Sequence, residues 1–167
     1  MKHIISTLVE NRFGVLAHIA GLFTSRGFNI DSLTVGETHD PTISRMTIVV
    51  SGDDRIIEQV NKQLNKLIDV IKVQDLTLDE RVERELLLIK VNCNPNNRSE
   101  IVELVEIFKG KIADFSPRAI TMEIVGDEEK IEAFIALMRT YGIKEMARTG
   151  RIALPREKKR PVEQPPS

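Results

Sequence analysis

The 167-residue chain has one cysteine, no tryptophan, one tyrosine and charges that nearly cancel. Each shortage removes a class of function. Cys93 on its own cannot close an internal disulfide or build a multi-cysteine metal site, and its place late in an apolar stretch marks a small buried hydrophobe. Lys plus Arg number 24 against 25 Asp plus Glu, so no excess field favours a phosphate backbone or an anionic lipid surface, and a nucleic-acid partner is not expected. Six Phe and one Tyr are too few to stack bases along an open sheet, as an RNA-binding module requires. Apolar runs such as Leu86–Ile89 are far shorter than a bilayer span, so no membrane role is expected. The N-terminus also lacks the cationic and apolar regions of a signal peptide, and the expected location is cytoplasmic.

Catalytic groups are scarce too. No nucleophile is spaced with a base, and no pair of carboxylates is set to flank a cleft. His3 begins a predicted strand, His18 lies on the polar side of a predicted helix and His39 sits in a loop. None has a ligand-spaced partner, so surface roles are expected for all three and no metal site is expected. The acidic runs Asp53–Asp54 and Asp127–Glu129 fall at predicted helix starts, where negative charge complements the helix dipole, and capping accounts for them.

What the chain does contain is a repeated order of elements. Residues His3–Val9 alternate as a strand, and Val15–Arg26 carry an apolar helix face of Val15, Leu16, Ile19, Ala20, Leu22 and Phe23 that stops at Gly27. Strands at Phe28–Gly36 and Ile43–Gly52 flank the turn-forming His39, Asp40 and Pro41. Asp53 then caps a helix with Ile56, Ile57, Val60, Leu64 and Leu67 at helical spacing, and Val70–Leu76 closes the unit. The second half repeats this: strand Leu86–Cys93, helix Ser99–Lys109 stopped at Gly110, strands Ile112–Phe115 and Ala119–Val125, a helix capped by Asp127 and stopped by Gly142, and an extended segment Ile143–Leu154. Each half reads βαββαβ, which predicts an α+β fold of two ferredoxin-like modules with antiparallel sheets and helices on one face. The predicted units are 1–77 and 78–154, joined by the charged segment Asp79–Glu85, with a flexible tail at 155–167.

Between the first strand and the first helix lies NRFGVL, Asn11–Leu16. The first amides of a helix lack intrahelical partners and carry partial positive charge, so a small anion is favoured there. Gly14 removes the Cβ that would screen those amides and tolerates positive φ, while Asn11 supplies two donors and an acceptor. Taken locally, such a pair equally caps and turns the chain. A ferredoxin-like fold selects no function by itself. Metal carriage would need a CxxC pair that is missing here.

The stretches ENRFGVLAHIAGLFTSRGFNIDSLTVG (Glu10–Gly36) and DPTISRMTIVVSGD (Asp40–Asp53) resemble an ACT domain. With VERELLLIKV (Val82–Val91), FKGKIADFSP (Phe108–Pro117) and EMARTGRIAL (Glu145–Leu154), nearly everything before the tail resembles the small regulatory subunit of acetolactate (acetohydroxyacid) synthase. The resemblance implies a homodimer in which the edge strand after the first helix pairs with its copy, and a feedback amino acid held between the two chains. It places Asn11, Gly14, Val15 and Leu16 on one side of that effector and Asn29 and Ile30 opposite, with Leu16, Ile30 and Val35 around its side chain. Valine suits this lining, with leucine or isoleucine separated from it only weakly, because one methylene is worth about 1–3 kcal/mol. The partner it implies is the catalytic large subunit, which uses thiamine diphosphate, Mg2+ and FAD; this chain is expected to hold no cofactor and to be no enzyme. Pro95, Asn96 and Asn97 replace the glycine motif at the matching turn of the second module, which is therefore read as structural or as contact surface. Two other readings remain at this level: a stand-alone amino-acid-sensing ACT module serving another enzyme or regulator, and a small enzyme of the same fold.

Overall fold

The computed structural model describes residues 1–158. The first module comprises β1 (Lys2–Glu10), α1 (Val15–Ser25), β2 (Ile30–Glu37), β3 (Ile43–Ser51), α2 (Asp54–Asn65) and β4 (Val70–Asp75). The second comprises β5 (Arg81–Asn92), α3 (Arg98–Ile107), β6 (Lys111–Phe115), β7 (Ala119–Gly126), α4 (Glu128–Met138), β8 (Ile143–Arg148) and β9 (Ile152–Pro155). Strand orders β2-β3-β1-β4 and β6-β7-β5-β8 put the first strand of each module at the sheet centre, paired antiparallel on both sides. This is the split-βαβ arrangement that the order of elements predicts.

Alternation along the strands sorts side chains between two faces. In the first module Ile5 and Val9 of β1 and Met46, Ile48 and Val50 of β3 point at the helices, where Val15, Ile19 and Phe23 of α1 and Ile57, Val60 and Leu64 of α2 meet them. The second module repeats this with Leu87, Ile89 and Val91 of β5 under Ile101, Val105, Phe134 and Met138. Asp53 and Asp127 cap their helices as expected, accepting from the amides of Ile56 (3.0 Å) and Lys130 (2.9 Å). Cys93 is buried, as its position in the sequence predicts.

Five expectations need correction. The charged segment Asp79–Glu85 is not a linker: from Arg81 onward it is the start of β5, and Arg81–Arg84 pair with β9. Its charge misleads because one face of that ribbon meets solvent. Residues Ile143–Leu154 are not one unbroken extended segment, since two β5 residues, Glu85 and Leu86, oppose the three residues Thr149–Arg151 between β8 and β9, a bulge. The third helix ends at Ile107, and the left-handed residue beyond its Phe108 cap is Lys109, φ 55°, rather than Gly110. His3 is buried, with Nε2 3.2 Å from the Gly52 carbonyl oxygen, because β1 is covered on both faces. Pro155 also belongs to β9, so the expected tail starts one residue later, and from residue 159 it lies outside the described residues.

The bulge and ribbon join the modules. On the face of the first sheet away from its helices, Ile4 and Val49 pack with Leu76 and with Ala153 of β9 in a small third core. The Arg151 amide donates to Ser32 Oγ of β2 at 3.1 Å. A network of charges runs beside it: Lys2 to Glu128 (2.7 Å), Glu128 to Arg151 (2.5 Å), and Arg148 to both Glu85 (2.5 Å) and Glu132 (2.8 Å). Glu85 and Arg151 are both buried, so neither charge is left without an opposite one nearby.

Candidate functional site

Gly14 is the N-cap of α1, with φ 85° and ψ −6°, and no side chain caps the helix there. A Cβ built at this position would meet nothing within 4 Å, so the turn opens onto free space. The Val15 amide has only a long 3.4 Å contact to the Arg12 carbonyl, and among the described residues the Leu16 amide meets no acceptor outside the helix. The helix therefore presents partly unsatisfied donors where no side chain hides them. Phe13 is fully exposed beside them and Leu16 is about half exposed, while Val15 turns into the core.

Asn11 is held in one orientation. Its Nδ2 donates to Glu37 Oε1 (3.1 Å) and to the Pro41 carbonyl oxygen (2.9 Å), which uses both amide protons. Among the described residues Oδ1 accepts from no donor. Glu37 and Pro41 are absent from the sequence-derived site; they lie 26 and 30 residues along the chain, and no local pattern links them to Asn11. Asn29 follows the same logic: its Nδ2 donates to Asp31 Oδ1 at 3.0 Å, and Asp31 Oδ2 in turn accepts from Ser51 Oγ.

One chain does not assemble all seven residues. Asn11, Gly14, Val15 and Leu16 sit at one end of the sheet with Glu37, and Val35 lies two residues up β2, paired with Met46 and so on the helix side. Asn29 and Ile30 lie at the other end of β2. Seven residues of strand separate Ile30 from Glu37, about 23 Å, far more than one amino acid can span. β2 is an edge strand, with unpaired backbone groups along its outer side.

The corresponding turn of the second module is closed. Asn97 Oδ1 accepts from the Asn94 amide (2.8 Å), and Asn94 Oδ1 accepts from the amides of Asn96 (2.9 Å) and Asn97 (3.0 Å). These bonds serve the turn's own amides; the start of α3, like that of α1, has no side-chain cap.

Comparison with known proteins matches both modules to one family. A family model described as an AHAS small subunit-like ACT domain covers residues 5–72, and another described as the small subunit of acetolactate synthase covers residues 84–157. A probable acetolactate synthase small subunit of Archaeoglobus fulgidus is 59% identical over 96% of this chain and 100% of its own length. The chain belongs to the acetolactate synthase small-subunit family. The small subunit of Aquifex aeolicus is 56% identical over 93% of this chain and 82% of its own length. The crystal structure of the acetolactate synthase small subunit from Thermotoga maritima, 47% identical, superposes with a TM-score of 0.87 over 95% of this chain and 99% of that one. In this chain a bulged ribbon ties the two modules together, a feature that local periodicity does not reveal.

Proposed function

We propose that this chain is the non-catalytic regulatory subunit of acetolactate synthase, activating the catalytic large subunit and conveying feedback inhibition by a branched-chain amino acid, valine first. The observation that carries the reading is the uncapped Gly14 turn, with an Asn11 amide oxygen that accepts from no donor among the described residues. A zwitterion matches this pair, its carboxylate on the α1 amides and its ammonium on Asn11 Oδ1. Antiparallel pairing of two β2 edges about a two-fold axis supports the rest of the site, since it would carry Asn29 of the partner subunit across the 23 Å gap to the open turn. Ile30, Val35 and Leu16 would then enclose an aliphatic side chain.

The thiamine diphosphate, Mg2+ and FAD chemistry belongs in this reading to the large subunit, and the complex is cytoplasmic. Regulation is a coupling free energy of about 1–3 kcal/mol, arising because effector binds one arrangement of the paired chains better than another. Calorimetry with valine, leucine and isoleucine, with and without the catalytic subunit, tests it. Binding of at least one of the three at a stoichiometry of one per β2-paired turn, together with capture of the catalytic subunit, supports the reading. No heat from any of them, or no capture, defeats it.

A further inference from the structure

Gly150, between β8 and β9, rests on β2 at a place where two hydroxyls converge. A Cβ built at Gly150 would lie 2.7 Å from Ser32 Oγ and closer still to Thr34 Oγ1, so both oxygens border one point beside the glycine. Only one of them is used. Ser32 Oγ accepts from the Arg151 amide at 3.1 Å, while Thr34 Oγ1 is buried and, among the described residues, has no hydrogen-bond partner. A buried hydroxyl left without a partner carries a desolvation cost that a nearby donor would relieve. The bulge supplies that donor, since its amides already reach the space that the two oxygens share.

β2 is held along one edge only, by β3. Its ladder is interrupted near its start, where Ile30 faces Val50 and Ser32 faces Val49, so Asp31 is an extra residue with no opposite. Asp31 ties that start together, accepting from Asn29 Nδ2 at 3.0 Å and from Ser51 Oγ. Alternation sorts the rest of the strand. Ile30 and Leu33 pack with the helix-side core and Val35 shares that side, while Ser32 and Thr34 meet the bulge. The aliphatic residues of the proposed effector site and the two hydroxyls are therefore opposite faces of one strand. Beyond the bulge, Arg151 is itself buried and pairs with Glu85 and Glu128, so a shift of the bulge is felt at the start of α4.

We propose that the Thr149–Arg151 bulge has two seats on β2, Ser32 Oγ and Thr34 Oγ1, and that effector bound along β2 favours one of them and draws the bulge toward it. Effector binding is thereby coupled to the junction between the modules. The inference rests on the proposed effector site. A ligand shifts such an equilibrium only through its differential affinity for the two arrangements, and by linkage each arrangement changes the affinity by the same factor. Removing one seat must therefore move the effector's dissociation constant in the direction opposite to removing the other. Gly150 lets both oxygens serve, because any Cβ would occupy the point they share.

The test uses the full chain and whichever of valine, leucine and isoleucine the parent binds. Calorimetry reads the affinity, and hydrogen exchange at Thr149–Arg151, with and without saturating effector, reads the junction. Ser32→Ala removes one seat. Thr34→Val removes the other while keeping its shape, and it should melt as the parent does because the hydroxyl it loses has no partner. The dissociation constants of the two variants should differ by about fivefold or more, with the parent's between them. Effector should change exchange at the bulge in the parent and leave it unchanged in either variant. Equal affinities in the two variants, or a parent bulge whose exchange ignores bound effector, overturn the two seats and leave the effector site standing. Should Ser32→Ala fail to fold, Thr34→Val decides alone: loss of the bulge's response supports the proposal, and an undiminished response overturns it. A parent that binds none of the three amino acids overturns the effector reading as well.

Discussion

Gly14 shows how one missing side chain leaves a helix start open. Its φ of 85° costs an L-residue about 1–2 kcal/mol, yet no atom within 4 Å opposes a Cβ there, so Gly14→Ala should fold with only that penalty. Gly14→Asp is different, because it sets a carboxylate where the effector's own would lie. Saturating the parent with valine at about 100 times its dissociation constant should add about 2.7 kcal/mol to its stability. In Gly14→Asp the melting temperature should not move with valine; an undiminished rise would remove the turn from the site. Glu37 accepts from Asn11 and touches the proposed site through that amide. Glu37→Ala frees one Nδ2 proton and lets the amide rotate, so valine binding should weaken several-fold by calorimetry while Glu37→Gln, whose side-chain oxygen still accepts, restores most of it. Equal affinity for all three proteins would count against this orienting role.

Among the elements, the helices differ most at their starts. α2 and α4 are closed by Asp53 and Asp127, while α1 and α3 have no side-chain cap, α1 following a glycine and α3 a turn braced by its own asparagines. Asp53→Ala should therefore cost about 1 kcal/mol in urea unfolding and leave effector affinity unchanged, since it removes a cap that serves only the helix. A loss well beyond 2 kcal/mol would mean that the Asp53 side chain does more than cap. β2 faces the opposite demand. Its helix-side residues must pack, yet its outer edge must stay available, so Val35 remains about half exposed in the single chain.

At the scale of the molecule, the bulge between β8 and β9 brings the second module against β2 of the first. A Cβ at Gly150 would collide with Thr34 Oγ1 and lie 2.7 Å from Ser32 Oγ and 2.9 Å from the Leu33 carbonyl oxygen, all on β2, which carries Ile30 and Val35 of the proposed effector site. Gly150→Ala should push the turn off β2 and split thermal unfolding into two transitions, one per module. A single unshifted transition would show that the contact is dispensable. Acid should loosen the same junction. The Glu128 carboxyl is held below its ordinary value of 4.5 chiefly by the Lys2 hydrogen bond, with the Arg151 charge adding to it against the effect of burial. A depressed carboxyl pKa stabilises the fold above the unfolded value and loses that contribution as pH falls through the folded one. Stability should therefore drop below about pH 4.5, less steeply in Lys2→Met than in the parent. Parallel pH curves would exclude this ion pair as the cause.

The order of elements, both module cores, the Asp53 and Asp127 caps and the open Gly14 turn were legible in the sequence because each rests on residues within a turn or two of one another: helical spacing, strand alternation, a capping side chain, a glycine. Glu37 beside Asn11, burial of His3, the bulge at Thr149–Arg151 and its seat on β2 were decided only by tertiary structure. Those depend on which strands become neighbours, and pairings between residues 26 to 119 positions apart leave no periodic trace along the chain. The charged start of β5 was misread for the same reason, since a ribbon with one solvated face has the composition of a linker until its partner strand is known.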